Sequence, residues 1–259
     1  GKLGDLFAFK QDHIFKDWDD VKANANNRYD AIGELYGPAA WEALKDKAGK
    51  QPIEPGDVCW ADLNNDGVIN NLDRVKVGNL FPTVTGGFST TLGYKDFSLY
   101  ARFDYALGHT LYNDLAARSL GQYQGSFNII DMVKDSWSET NQDTDIPKFY
   151  YADQLSKKNI TRSNNGLTAV DNNSSRFYEK GDYLALREIT LTWNLPKKWI
   201  NKALMSNASV YVTGQNLFYI TGYTGVSPEP AVDTTYGQGL DNGRYPTPKT
   251  VLLGLSVTF

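Results

Sequence analysis

The last ten residues, TVLLGLSVTF, set Val251, Leu253, Leu255, Val257 and Phe259 on one parity and Thr250, Gly254, Ser256 and Thr258 on the other. A period of two belongs to a β-strand, whose successive side chains point to opposite faces. The segment FSLYARFDYAL repeats it, with Phe97, Leu99, Ala101, Phe103, Tyr105 and Leu107 facing one way and Ser98, Tyr100, Arg102, Asp104 and Ala106 the other. Strands of this kind confine the chain to an all-β architecture whose apolar face must be covered by something. The abundance of Tyr, Phe, Trp and Gly (16, 12, 6 and 23 residues) favours strands and turns over helix bundles in the same way.

VTGGFSTTLGY, ending at Tyr94, joins the Phe97 strand through Lys95-Asp96, which predicts a β-hairpin. Tyr183 to Leu195 changes parity midway, from Leu184 and Leu186 to Ile189, Leu191, Trp193 and Leu195, so a bulge is expected near Glu188. Ala208 to Phe218 and a weaker Leu3 to Lys10 complete six candidate strands. Their connections are very unequal. One is a two-residue turn and another spans 196–207, but the rest run over 11–83, 109–182 and 219–248. Loops of that length are uncommon in compact soluble domains. Alternating short turns and long loops are what outer-membrane barrels have, and there Tyr94, Trp193 and Phe259 would lie near one membrane interface. A secreted soluble β-sandwich, burying the same side chains between two sheets, is the competing reading. The pattern alone leaves both open.

Several function classes fall away. A net charge of −4 without a dense Lys/Arg cluster gives no electrostatic reason to expect nucleic acid. Cys59 is the one cysteine, so no internal disulfide forms, and no second Cys or His near it in sequence has zinc-ligand spacing. It reads as an inert buried thiol. No apolar run approaches the roughly 18 residues of a membrane helix, which excludes a helical span but not a barrel. His13 and His109 have no Ser, Cys or carboxylate arrangement beside them in sequence, so no catalytic residue is expected.

DLNNDGVINNLD, residues 62–73, spaces its donors as a calcium loop does. Asp62, Asn64, Asp66, Asn70 and Asp73 supply hard oxygens, Val68 offers its carbonyl, and Gly67 permits the sharp turn. Asp73 is shorter than the usual Glu at the last position. The expected ion is calcium, or another divalent cation such as magnesium, in a structural role; the alternative is an acidic turn without metal. Tyr123, Phe127, Trp137, Phe149, Tyr150, Tyr151, Tyr223 and Tyr236 could stack on a substrate, though such residues more often anchor loops. Phe127, Ile130, Val133 and Trp137 have helical spacing and predict a short helix.

Longer segments carry a family likeness. PGDVCWADLNNDGVINNLDRVKVGNLFPTVTGGFSTTLGYKDFSL, then TDIPKFY, SSRFYEKGDYLALREITLTWNLP, VYVTGQNLFYITGYTGVSPE and YPTPKTVLLGLSVTF resemble, in order, the C-terminal part of the SusC/RagA family of TonB-dependent outer-membrane transporters. Lys148 and Lys249 stand where Arg is expected in that family. The resemblance implies that residues 1–259 form a C-terminal segment of about six strands of a large antiparallel transmembrane β-barrel with long extracellular loops, the plug domain being absent from this chain. Such barrels close with about 22 strands, so the remainder of the barrel and plug is expected as another chain or fragment. The family also implies outer-membrane lipid around the barrel, a SusD-like lipoprotein as lid, and TonB acting through the plug portion. Glycan oligomers or peptides are the implied substrates, taken up without covalent chemistry. The competing class is a secreted calcium-stabilised β-sandwich adhesin or glycan-binding module.

Overall fold

The computed structural model describes residues 1–24, 28–29, 35–36, 54–66, 69, 71–122, 130–149, 174–229, 239–243 and 245–259. In chain order the strands are β1 (Asp5–Phe9), β2 (Gln11–Ile14), β3 (Arg28–Tyr29), β4 (Leu35–Tyr36), β5 (Val58–Trp60), β6 (Arg74–Asn79) and β7 (Val84–Tyr94). They continue with β8 (Phe97–Leu107), β9 (Thr110–Asn113), β10 (Tyr178–Lys180), β11 (Tyr183–Asn194), β12 (Asn207–Thr221), β13 (Leu240–Asp241) and β14 (Thr250–Thr258). The chain divides into two compact units, Gly1–Leu80 with Leu111–Glu179 and Val232–Gly243, and Phe81–Thr110 with Lys180–Ala231 and Arg244–Phe259.

The second unit is one antiparallel sheet in the order β14-β12-β11-β8-β7. Five of the six expected strands are therefore neighbours. The sixth, β1, instead pairs with β6 within the first unit. The expected bulge is present: the register of β11 shifts between Leu186 and Glu188 against both neighbours, leaving Arg187 as the extra residue opposite β8. On β12 the same step passes over Asn216 and Leu217, and Asn216 takes a left-handed φ of 52°. Asn tolerates that conformation better than branched residues do. Gly254 is required for a different reason, because a Cβ there would clash with Cζ of Tyr211, whose ring lies across the glycine.

The first unit is built from short pairs, β1–β6, β2–β5 and β3–β4, and the three-stranded sheet β10-β9-β13. Phe9, Ile14, Val58, Trp60, Ile69 and Trp137 form one buried cluster. Tyr112, Ala117, Leu120, Ile146, Phe177 and Leu240 form another. Short strands with little regular alternation can be held this way because each buries a few large side chains against loop residues. The helix expected through Phe127 to Trp137 is not continuous. Its described part is a 3₁₀ turn, Asp131–Asp135, with Val133 packed on the second cluster and Trp137 in the first. Phe127 lies outside the described residues.

Candidate functional site

Strand register puts side chains from all five strands of the second unit into rows. Leu92, Leu99, Leu191, Val212 and Leu253 are successive partners across the sheet. Two residues along, Tyr94, Phe97, Trp193, Val210 and Leu255 form the next row. Phe97 stacks on Trp193 at 6.0 Å, and Trp199 meets Trp193 edge-on at 5.9 Å. In the opposite direction come Thr90, Ala101, Ile189, Gly214 and Val251, then Phe88, Phe103, Leu186 and Phe218. Tyr94 and Trp193 thus share an aromatic row as expected, while Phe259 lies four residues beyond it on β14's parity.

This apolar face is largely bare. Leu253 is 80% exposed and Tyr94 72%, whereas Ala185 and Thr213 on the other face are 1% and 6% exposed. That reverses the ordinary arrangement of a protein in water, and a continuous apolar sheet face of this kind marks contact with another apolar medium. A β-sandwich would bury it. At about 3.3 Å per residue an 11-residue strand spans roughly 36 Å, which at a tilt of about 45° is roughly 26 Å of height, close to the ~25 Å apolar band of an outer-membrane barrel.

The polar face carries a charged network at the bulge. Arg187 donates through Nε to Asp104 Oδ2 at 2.9 Å, through Nη1 to the Tyr219 hydroxyl at 3.2 Å, and pairs through Nη2 with Glu229 Oε1 at 2.5 Å. The Tyr219 hydroxyl donates to the same carboxylate at 2.7 Å. His109, 1% exposed, donates through Nε2 to the Pro228 carbonyl at 2.9 Å. Residues 228 and 229 are thereby tied to the polar face by two side chains far away in sequence. Tyr223, a candidate for substrate contact, is 7% exposed, which fits an anchoring role.

In the first unit, the 62–73 loop closes on itself. The Leu63 N–H donates to Asp73 Oδ1 at 2.9 Å, the Asp66 N–H to Asn64 Oδ1 at 3.1 Å, and Asn64 Nδ2 to Asp66 Oδ2 at 2.7 Å. Asn65 is left-handed at φ 58°, Ile69 is buried in the Phe9 cluster, and Asp73 is fully buried. Gly67, Val68 and Asn70 lie outside the described residues. The last carboxylate is thus brought back to the start of the loop, as ion wrapping requires. The carboxylates of Asp62, Asp66 and Asp73 are not, however, gathered within 4.8 Å of one another; among the described residues only Asp12, His13 and Cys59 make such a group. Sequence reasoning missed that trio because Cys59 lies 46 residues from His13, and it meets His13 only through the β2–β5 register.

Trp137 is 8% exposed and donates through Nε1 to the Lys16 carbonyl at 3.2 Å, so it anchors a loop. Phe149 is half-buried, and Tyr123, Phe127, Tyr150, Tyr151 and Tyr236 lie outside the described residues. Trp18, which the sequence reading passed over, is 45% exposed beside an open cleft of about 340 Å³ that Glu54, Trp137 and Lys148 also line. Lys148 lies over the Trp137 ring at 5.8 Å and meets Glu54 at 3.3 Å.

Among known proteins, the chain is 31% identical over 243 residues to TonB-dependent receptor P3 of Formosa agariphila, covering 89% of this chain and 22% of that receptor. TonB-dependent receptor P26 of the same organism is 32% identical over 217 residues, 81% of this chain and 20% of the receptor. TonB-dependent receptor SusC of Bacteroides thetaiotaomicron is 25% identical over 221 residues, 85% and 19%. The chain therefore spans about a fifth of the length of the curated relatives it matches. No protein-family profile matches it. The fold is similar to part of the RagAB peptide transporter, with a TM-score of 0.61 at 23% identity over 79% of this chain and 21% of that one. The open-open state of the RagAB peptide importer gives 0.61 at 20% identity over all of this chain and 23% of that one.

Proposed function

Because this chain belongs to the SusC/RagA family of TonB-dependent outer-membrane transporters, we propose that it supplies wall strands and external loops to an importer barrel. The importer takes up glycan oligomers or peptides by TonB-dependent active transport, receiving them from a SusD-like surface lipoprotein. The remainder of the barrel and the plug complete it, and no covalent chemistry is involved. The observation that carries this reading is the reversed sheet, with bare Leu253 and Tyr94 on one face and the Arg187–Asp104–Glu229 network on the other. Hydrocarbon solvates the first face and a watery lumen the second. Spin labels on the full-length transporter in lipid test it. Labels at Leu92, Leu191 and Leu253 should collide with dissolved oxygen, and those at Thr91, Thr192 and Ser256 with an aqueous nickel complex. Equal accessibility of the two sets would sink the barrel reading. Uptake of labelled oligomers by cells, abolished when the proton gradient is collapsed, tests the transport reading separately.

The 62–73 loop is proposed to take calcium, or magnesium, through Asp62, Asn64, Asp66, Asn70, Asp73 and the Val68 carbonyl. The closure of Leu63 on Asp73 supports it. The ion would tie down an external loop.

A further inference from the structure

We propose that Asp12, His13 and Cys59 form a site for a divalent d-block ion, with zinc the best match to the donors. β2 and β5 run antiparallel with His13 directly opposite Cys59, so the two side chains share a face. The register shifts between Gln11 and His13, leaving Asp12 as an extra residue released from strict alternation. Its Oδ2 reaches His13 Nδ1 at 2.9 Å. One carboxylate oxygen, one imidazole nitrogen and the thiol sulfur all lie within 4.8 Å of one another. A tetrahedral ion with bonds of about 2.0–2.3 Å holds its ligands roughly 3.3–3.8 Å apart, so the Asp12–His13 pair opens by about half an ångström while contacts of up to 4.8 Å close by about an ångström.

The surroundings suit a metal-bound imidazole. Metal-ligating histidines give their second N–H to a carboxylate or carbonyl, which fixes the ring. His13 Nε2 lies 3.3 Å from Asp20 Oδ1, and that carboxylate is itself held by the Lys16 N–H at 2.9 Å and Asn24 Nδ2 at 2.6 Å. Phe15 packs edge-on against the imidazole at 5.5 Å. Cys59, 2% exposed, sits with Phe15 and Val21, while the Asp12 side chain is 55% exposed and gives the ion an entrance and a solvent-facing fourth position. A thiolate, an imidazole and a carboxylate select zinc-like ions over calcium, which prefers oxygen alone. On binding, metal bonds replace S–H on Cys59 and the N–H through which His13 Nδ1 meets Asp12, and both protons leave to solvent.

The test uses the full-length transporter, stripped with a chelator and titrated with cobalt(II). One equivalent should bind with a thiolate-to-cobalt charge-transfer band in the near ultraviolet, displaced by zinc and not by calcium. Cys59→Ser should abolish the band. Asp12→Asn should weaken binding at least tenfold, and Asp20→Asn, at a positioning residue, about 10–100-fold with the band retained. Absence of the band with cobalt in excess, or its survival in Cys59→Ser, overturns the proposal. If Cys59→Ser does not fold, Asp12→Asn and His13→Gln decide: unchanged affinity in both overturns it equally.

Discussion

A lysine moved down the apolar face of β14 should report depth. Two residues along a strand tilted by about 45° change height by about 5 Å. If the Tyr94–Phe97–Trp193 row, which contains Leu255, marks the interface, Leu253 lies about 5 Å inside and Val251 about 9 Å, near the middle of a ~25 Å band. Lys costs about 2–4 kcal/mol at the midplane of such a barrel and about 0–1 near its interfaces. Leu255→Lys should therefore cost under about 1 kcal/mol, Leu253→Lys about 1–2 and Val251→Lys about 2–3. The roughly 2 kcal/mol between the ends of the series is about 30-fold in the folding equilibrium. Leu253 and Val251 are 80% and 71% exposed, so little protein packing is lost and the lipid contribution dominates. Ser256→Lys on the polar face should stay within about 0.5 kcal/mol. Urea titrations of the transporter in phospholipid vesicles, followed by tryptophan fluorescence, would measure the series. Equal costs at Val251 and Ser256, or a gradient running the other way, would refute both the face assignment and the depth scale.

Arg187→Met should lower stability by about 1–3 kcal/mol, because it leaves Asp104 and Glu229 facing each other uncompensated, and Glu229→Gln in that background should restore part of it; limited proteolysis within residues 222–229 and thermal unfolding read it. Gly254→Ala should cost about 1–3 kcal/mol by displacing the Tyr211 ring, a loss that Tyr211→Ala relieves in the double variant. Asp66→Ala should lower calcium occupancy and speed proteolysis of the 62–73 loop while barrel assembly persists; unchanged ion density in the variant would refute the ligand assignment. Burial of Asp20 pulls its carboxyl pKa upward, but hydrogen bonds from the Lys16 N–H and Asn24, with His13 alongside, outweigh this and hold it below 3.8. Its contribution is thus present above that value and lost as pH falls through the lower folded value. Hydrogen-exchange protection of residues 16–24 should decline there in the native protein and not in Asp20→Asn.

The sheet was legible because every strand keeps one face apolar and the other polar. Leu92, Leu191 and Leu253 stand far apart in sequence, yet each carries the same parity signal, and even the bulge announced itself as the slip between Leu186 and Ile189. The first unit offers no such regularity. Its strands are two to six residues long and bury whatever large side chain the loops bring, so Phe9 meeting Trp60, or His13 meeting Cys59, leaves no periodic trace. Helical spacing misled at Trp137 for a related reason: four apolar residues matched a helix template, but two of them are claimed by different clusters. The donor spacing of residues 62–73 was legible in the sequence, and the closure of that loop was not, because it depends on Asp73 folding back to Leu63.

The sheet also constrains how such a barrel is made. Among the described residues β7 and β14 each have a neighbour on one side only. Half of the backbone groups in strands of 11 and 9 residues, roughly twenty N–H and C=O groups in all, point away from that neighbour. Left unmatched in hydrocarbon at several kcal/mol each, they would cost tens of kcal/mol, more than any domain's net stability. No half-built sheet of this kind can wait in the membrane for its remaining strands. Insertion and closure have to be a single event, or proceed with both edges held by a chaperoning template until the last strand arrives.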